Sequence, residues 1–293
     1  MAHKAGFVNI IGSPNVGKST LMNALVGERL SIITSKAQTT RDRILGIVNG
    51  DDFQIVYSDT PGVIHPGYKL HESMMKSVET AFKDADIMLF MTDVFETEAK
   101  VESILSKIQK TQKPVLLLVN KIDVADQKTV EKRIEFWKEQ VPNAETLILS
   151  ALEGFNVDVV LNRIIELLPE SPPYFPKDQL TDKPERFFVA EMIREQIFET
   201  YQKEVPYSSA VIVESFKEEE EIIRIRSEII VERDSQKGII IGHQGKSLKK
   251  VGTQARRKME RFLQKKVFLE LYVRVNKDWR KDQNSLNKLG YGQ

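Results

Sequence analysis

Nine residues constrain this chain more than any others: Gly12-Ser13-Pro14-Asn15-Val16-Gly17-Lys18-Ser19-Thr20, set between the apolar run FVNIIG and a helical pattern. A strand that feeds a glycine loop and then a helix turns several backbone N–H groups into one concavity at the positive end of the helix. Such a cradle suits phosphate, with Gly12, Asn15, Val16 and Gly17 shaping the loop. Lys18 can then reach the β- and γ-phosphates, while Ser19, followed by Thr20, brings a hydroxyl to Mg2+. A loop of this kind needs a buried strand before it and helices to cover that strand. FVNIIG, FQIVYSD, DIMLFMTD, KPVLLLVNK and ETLILS alternate with amphipathic stretches at Lys69–Phe82, Ala99–Gln109, Val130–Trp137 and Val157–Leu167. That order predicts an α/β domain with a mostly parallel, doubly wound sheet. Asn49-Gly50-Asp51-Asp52, between two strand-like runs, predicts one hairpin and an antiparallel strand at the sheet edge.

Three further segments fall at the ends of apolar runs, where ligands bind in open α/β sheets. Asp59-Thr60-Pro61-Gly62 closes FQIVYS; Asp59 suits Mg2+, and the Gly62 N–H can follow a γ-phosphate and release it after hydrolysis. Asn120-Lys121-Ile122-Asp123 closes VLLLV. A carboxylate at Asp123 can accept from the N1–H and 2-amino group of guanine, a donor pair that adenine lacks. Ser150-Ala151-Leu152 closes LILS and can offer a backbone N–H to guanine O6. Between the loop helix and the Asp59 strand lies Lys36-Ala37-Gln38-Thr39-Thr40-Arg41-Asp42, in which a threonine can close on Mg2+ when the γ-phosphate is present. Spelling alone leaves Thr39 and Thr40 open; Thr40 is favoured. In this order the segments read as a GTP/GDP switch, with Lys18, Thr40 and Gly62 at the reacting phosphate. Val63 stands where many GTPases place a water-orienting glutamine. Slow intrinsic hydrolysis is expected.

Five prolines in residues 169–184 predict a linker. It separates an expected domain over residues 1–170 from another over residues 185–293, with the linker itself at 171–184. The second half reads α-β-β-α-α-β, too small and too antiparallel for another doubly wound sheet. Net charge is +1 overall, yet residues 237–281 hold 14 basic residues against three acidic ones. A polyanionic partner is implied. Within that block Gly242-His243-Gln244-Gly245 forms a G-x-x-G loop between two helix-like segments. It shares the letters Gly-Lys-Ser with the first loop, but only two residues separate its glycines and no strand precedes it. A short glycine loop of this sort lets an RNA backbone approach closely, beside a groove for about four splayed nucleotides. Lys246, Lys249 and Lys250 are the expected phosphate contacts, and Ile239 to Ile241 the expected groove floor or core. The chain has no cysteine, four scattered histidines and no apolar run of bilayer length. Disulfides and thiolate metal sites are excluded, and a cytoplasmic monomer is the expectation.

GSPNVGKST, KAQTTRDR, DTPG, NKID and SAL together resemble the Era/TrmE-type bacterial GTPases, whose members also carry an apolar residue at the Val63 position. The second half resembles a KH domain of the α-first, type II kind. The resemblance implies GTPase activity with Mg2+, a stimulatory potassium ion linked to Asn15, and binding to the 3′ end of 16S rRNA during assembly of the 30S subunit. An alternative is a membrane-associated signalling or cell-division GTPase whose basic stretch VGTQARRKMERFLQKK, with Val251, Met259, Phe262 and Leu263, lies on anionic lipid. A P-loop kinase fits less well, because NKID has no role in a phosphate-acceptor site.

Overall fold

The computed structural model describes residues 2–96 and 102–291. It divides into two compact units: Met1–Pro66 with Met74–Asp182, and Gly67–Ser73 with Lys183–Gln293.

The first unit is built on a six-stranded sheet, β1 (Lys4–Gly12), β2 (Ile44–Asn49), β3 (Phe53–Asp59), β4 (Ile87–Asp93), β5 (Val115–Asn120) and β6 (Glu145–Ile148), in the order β2-β3-β1-β4-β5-β6. All its pairings are parallel except β2 with β3, the antiparallel edge hairpin expected at Asn49-Gly50-Asp51-Asp52. There the Gly50 N–H donates to Phe53 O at 2.9 Å. Helices α1 (Lys18–Val26), α2 (Lys69–Asp84), α3 (Glu102–Lys110), α4 (Gln127–Gln140) and α5 (Val157–Leu167) connect the strands. The start of the predicted helix Ala99–Gln109 lies outside the described residues; its remainder falls in α3. Every residue of β4 and β5 is buried, as uninterrupted apolar runs require of central parallel strands. Trp137 of α4 is fully buried, its ring edge-to-face on Phe90 of β4 at 5.6 Å.

The proline-rich stretch is not a free tether. Proline removes donors but keeps its carbonyl, and the segment uses carbonyls and side chains to strap the exposed edge of β2. Ile47 N donates to Leu180 O at 2.8 Å, Leu45 N to Asp182 Oδ1 at 2.9 Å, and Thr181 Oγ1 to Leu45 O at 2.7 Å. Gln54, fully buried in β3, donates to Phe175 O and accepts from the N–H groups of Tyr174 and Phe175. An edge strand left open is a template for pairing with other chains, and this strap covers it.

The second unit follows the expected order: α6 (Glu185–Thr200), β7 (Ala210–Glu218), β8 (Ile222–Val231), α7 (Asp234–Ile241), α8 (Lys246–Phe262) and β9 (Lys266–Val275), then a short α9 (Gln283–Lys288). Strand β8 is central, antiparallel to β7 and parallel to β9. The basic helix starts at Lys246, five residues before the expected Val251, because Gly245 at φ 74° supplies the left-handed turn from which it springs. Val251, Ala255 and Met259 are buried in the core with Ile193, Ile197 and Ile225, and Leu263 packs against them. The apolar stripe on which a lipid-bound helix would depend is therefore spent inside the protein, with Phe262 the exposed exception. No helix among the described residues is long and apolar enough to cross a membrane.

Candidate functional site

The phosphate loop follows β1 directly. Asn15 at φ 66° and Gly17 at φ 108° take left-handed conformations that curl the backbone into the start of α1. A Cβ on Gly17 would lie 2.3 Å from Asn120 Nδ2, so glycine is required there. Lys18 is buried, and its Nζ donates to Gly12 O at 3.1 Å and Ser13 O at 2.8 Å. Burial pulls its ammonium down to about 8, against the opposing attraction of Asp59 and Glu96.

Beyond Lys18, three oxygens from three segments converge. Ser19 Oγ donates to Asp59 Oδ2 at 2.7 Å and lies 3.0 Å from Thr40 Oγ1, which itself donates to Asp59 Oδ2 at 3.3 Å. Thr39 turns away: its hydroxyl donates to Lys36 O at 2.7 Å and lies 2.6 Å from Thr34 Oγ1. Of the two threonines that spelling left open, Thr40 is the one whose hydroxyl lies against Ser19 and Asp59. Asp59 is fully buried, and its Oδ1 has no hydrogen-bond partner. Burial raises its pKa above the ordinary carboxylate value despite Lys18 and the hydroxyls of Ser19 and Thr40. A buried carboxylate with an unused oxygen, flanked by two hydroxyls, fits a hard cation such as Mg2+.

Gly62 lies against the loop, where a Cβ would meet Pro14 Cα at 2.7 Å, and Val63 N donates to Gly12 O at 3.2 Å. The Val63 side chain packs against the core. On the other side Asn120 ties three segments together. Its Nδ2 donates to Val16 O at 2.7 Å, and its Oδ1 accepts from Ala151 N at 2.9 Å. Lys121, at φ 63°, donates to Asp93 Oδ2 at 2.7 Å. Asp123 is exposed in the middle of a single 3-10 turn, Ile122–Val124; a bound base would have to cover it. A cavity of about 410 Å3 collects Asn15, Gly17, Lys18, Ser19, Thr20, Thr40, Gly62, Asn120, Lys121, Asp123, Ser150 and Leu152 on one wall system. Gly12, Val16, Asp59 and Ala151 lie behind that lining and act through the contacts just described.

Sequence reasoning missed Asp93, Glu96, Val124 and the Ile32–Ser35 wall. Asp93 carried a signal, since it ends β4 as Asp59 and Asn120 end β3 and β5. Val124, next to Asp123, also lines the cavity, and it and Leu152 expose apolar surface there. Asn15 Nδ2 donates to Ser35 O at 3.1 Å, which holds that wall to the phosphate loop.

In the second unit, Gly242 (φ 69°), Gln244 (φ 51°) and Gly245 (φ 74°) make a left-handed turn between α7 and α8. A Cβ on Gly242 would lie 2.2 Å from Ser247 Oγ, whereas the space beside Gly245 is open. His243, Gln244, Lys246, Lys249 and Lys250 are exposed. A groove of about 330 Å3 runs from Gly245 between α8 and β9, lined by Leu248, Lys249, Gly252, Thr253, Arg256, Leu269 and Leu271. Of Ile239 to Ile241, expected as groove floor or core, the core alternative holds for Ile240. Ile240 is buried in the core and Ile239 is exposed on α7, while Leu248, Leu269 and Leu271 supply the apolar walls. The signal for this lining was the alternation in Phe268-Leu269-Glu270-Leu271 and the turn-by-turn spacing of Lys249, Gly252, Thr253 and Arg256.

Comparison with known proteins matches both units. Residues 7–121 match the family model of 50S ribosome-binding GTPases, and residues 204–280 match that of KH domains. The chain is 45% identical over 289 residues to GTPase Era of Geotalea daltonii, covering 98% of this chain and 97% of the relative. It is 43% identical over 291 residues to GTPase Era of Staphylococcus epidermidis, covering 99% and 97%. Among solved structures, Era in complex with MgGDPNP and nucleotides 1506–1542 of 16S ribosomal RNA superposes with a TM-score of 0.95 at 40% identity, over 99% of this chain and 100% of that one. An Aquifex aeolicus Era variant bound to GDP and aluminium fluoride superposes with a TM-score of 0.95 at 39% identity, over 99% and 100%.

Proposed function

Because the chain belongs to the Era family of GTPases, we propose that it is a nucleotide-controlled RNA clamp acting in assembly of the small ribosomal subunit. It binds GTP and GDP with Mg2+ and hydrolyses GTP to GDP and phosphate, as the family does. Lys18 neutralises the β- and γ-phosphates. Ser19, Thr40 and Asp59 would hold the cation, which would supply neutralisation of the charge on the β- and γ-phosphates. The backbone N–H of Gly62 follows the γ-phosphate. Asp123 accepts from guanine, Asn120 keeps the base side joined to the phosphate loop, and Val124 and Leu152 cover the purine faces. Val63 offers no side-chain polar atom to the attacking water, so intrinsic hydrolysis is slow. A potassium ion beside Asn15 is part of this reading, supported by the resemblance.

The second unit would grip the 3′ end of 16S rRNA, with Gly242 and Gly245 admitting the backbone. Lys246, Lys249 and Lys250 meet phosphates and the Leu248–Leu271 groove takes splayed bases. The observation that carries this is the full-length likeness to a relative holding both a GTP analogue and 16S nucleotides. The N-terminal family takes its name from the 50S particle, but that match stops at residue 121, short of the RNA unit. The proposal is tested by binding of a 3′-terminal 16S fragment and of anionic vesicles to the intact chain and its Gly242→Asp and Gly245→Asp variants. RNA binding lost by the variants supports it; vesicle binding with no RNA binding would return the membrane reading. The protein would act in the cytoplasm.

A further inference from the structure

The segment that carries Thr40 ends at Arg43, and that guanidinium is engaged on several sides. Its Nη1 pairs with Asp84 Oδ2 at the end of α2, Nη2 donates to Asp84 Oδ1 at 3.1 Å, and Nε donates to Ser58 Oγ at 2.7 Å. Nη2 also reaches Asn9 Oδ1 at 3.4 Å. Asn9, fully buried in β1, donates in turn to Asp84 Oδ1 at 2.7 Å and to Ala81 O at 2.5 Å. An isolated surface ion pair would do little, but a bidentate arginine–carboxylate pair locked to a buried amide fixes direction as well as position.

Its place in the sheet gives that fixity a consequence. In the β2–β3 ladder Ile44 lies opposite Asp59 and Leu45 opposite Ser58. The arginine therefore pins the base of the Thr40 segment to the strand that ends in Asp59, and to the helix that follows the Gly62 loop. Asn9, Arg43, Ser58 and Asp84 are all absent from the lining of the nucleotide cavity. We propose that Arg43, held by Asp84, is a positioning residue: it anchors the hinge from which Thr40 closes on Asp59 and Ser19 when the triphosphate is bound. This rests on the reading of Thr40 and Asp59 as cation ligands given above.

The test compares affinities for GDP and a non-hydrolysable GTP analogue on the full chain, at limiting and saturating Mg2+, with thermal unfolding alongside. The variants are Arg43→Met, Arg43→Lys, Asp84→Asn and Thr40→Ala. Positioning predicts GDP affinity within about twofold of wild type. Analogue affinity should fall about tenfold in Arg43→Met and Asp84→Asn, with more Mg2+ needed for half-saturation and Arg43→Lys in between. A merely structural network would lower the unfolding temperature and leave the analogue-to-GDP ratio unmoved. An unmoved ratio in both Arg43→Met and Asp84→Asn, with Thr40→Ala lowering it, overturns the inference alone. An unmoved ratio in Thr40→Ala as well overturns the cation-site reading beneath it. Should Arg43→Met fail to fold, Asp84→Asn and Arg43→Lys decide.

Discussion

A buried lysine is in an awkward state, and Lys18 shows how the awkwardness is managed. Two backbone carbonyls hold its ammonium, yet burial brings the pKa down to about 8. A bound polyanion favours the charged form, so nucleotide binding above pH 8 must take up a proton. Affinity for GTP is then expected to be flat below pH 8 and to fall above it by up to about tenfold per pH unit. Calorimetry in buffers of different ionisation enthalpy would register the uptake; a pH-independent affinity up to pH 9.5 would refute it. Asp123→Asn makes a second prediction at this scale. The amide can donate to a 2-oxo group, so preference should shift from GTP towards xanthosine triphosphate, read by competition binding. Most of the residues that line the cavity were legible in the sequence, because they follow the ends of apolar runs or the glycine loop, where residue type indicates the chemistry. Thr39 and Thr40 were not separable, because they carry the same hydroxyl. In the fold they differ: a turn directs Thr39 Oγ1 to Lys36 O, while Thr40 Oγ1 lies against Asp59.

Among the elements, the strap over β2 was the least legible. Proline-rich sequence announces missing donors and says nothing of where the remaining carbonyls go. Here they, and the side chains of Thr181 and Asp182, satisfy an edge strand, with Gln54 as the hub. Gln54→Leu would keep the volume and strand three backbone groups without their partner. A loss of about 2–4 kcal/mol of stability in the first unit is expected, measured by denaturant unfolding; a change below about 1 kcal/mol would mean the strap is held by other contacts. The glycine turn of the second unit was legible in spelling but not in burden. Gly242 is fixed by φ 69° and by Ser247, whereas Gly245 has only its φ to protect. Gly242→Ala should therefore lower the melting temperature of the second unit more than Gly245→Ala does, while both weaken RNA binding and neither changes GDP affinity. The start of α8 was misplaced by five residues because Lys246-Ser247-Leu248-Lys249-Lys250 reads as charged loop, and only the left-handed Gly245 before it makes it helix.

At the scale of the whole molecule, one chain carries a cavity beside the phosphate loop and, in its other unit, a basic-lined groove between α8 and β9. The charge distribution supports the proposed RNA grip, since 14 basic residues against three acidic ones fall in residues 237–281, within the second unit. RNA affinity should accordingly drop steeply with salt, while guanine selectivity should not. Linkage requires that if GTP strengthens the grip on RNA, RNA strengthens the grip on GTP by the same factor. The direct measurement is the Kd of the intact protein for a 3′-terminal 16S rRNA fragment in the GTP-analogue-bound, GDP-bound and nucleotide-free forms at one salt concentration. Tightest binding in the GTP-analogue form, by about fivefold or more over GDP, is the expected result. Identical affinity in all three forms would contradict a nucleotide-controlled clamp.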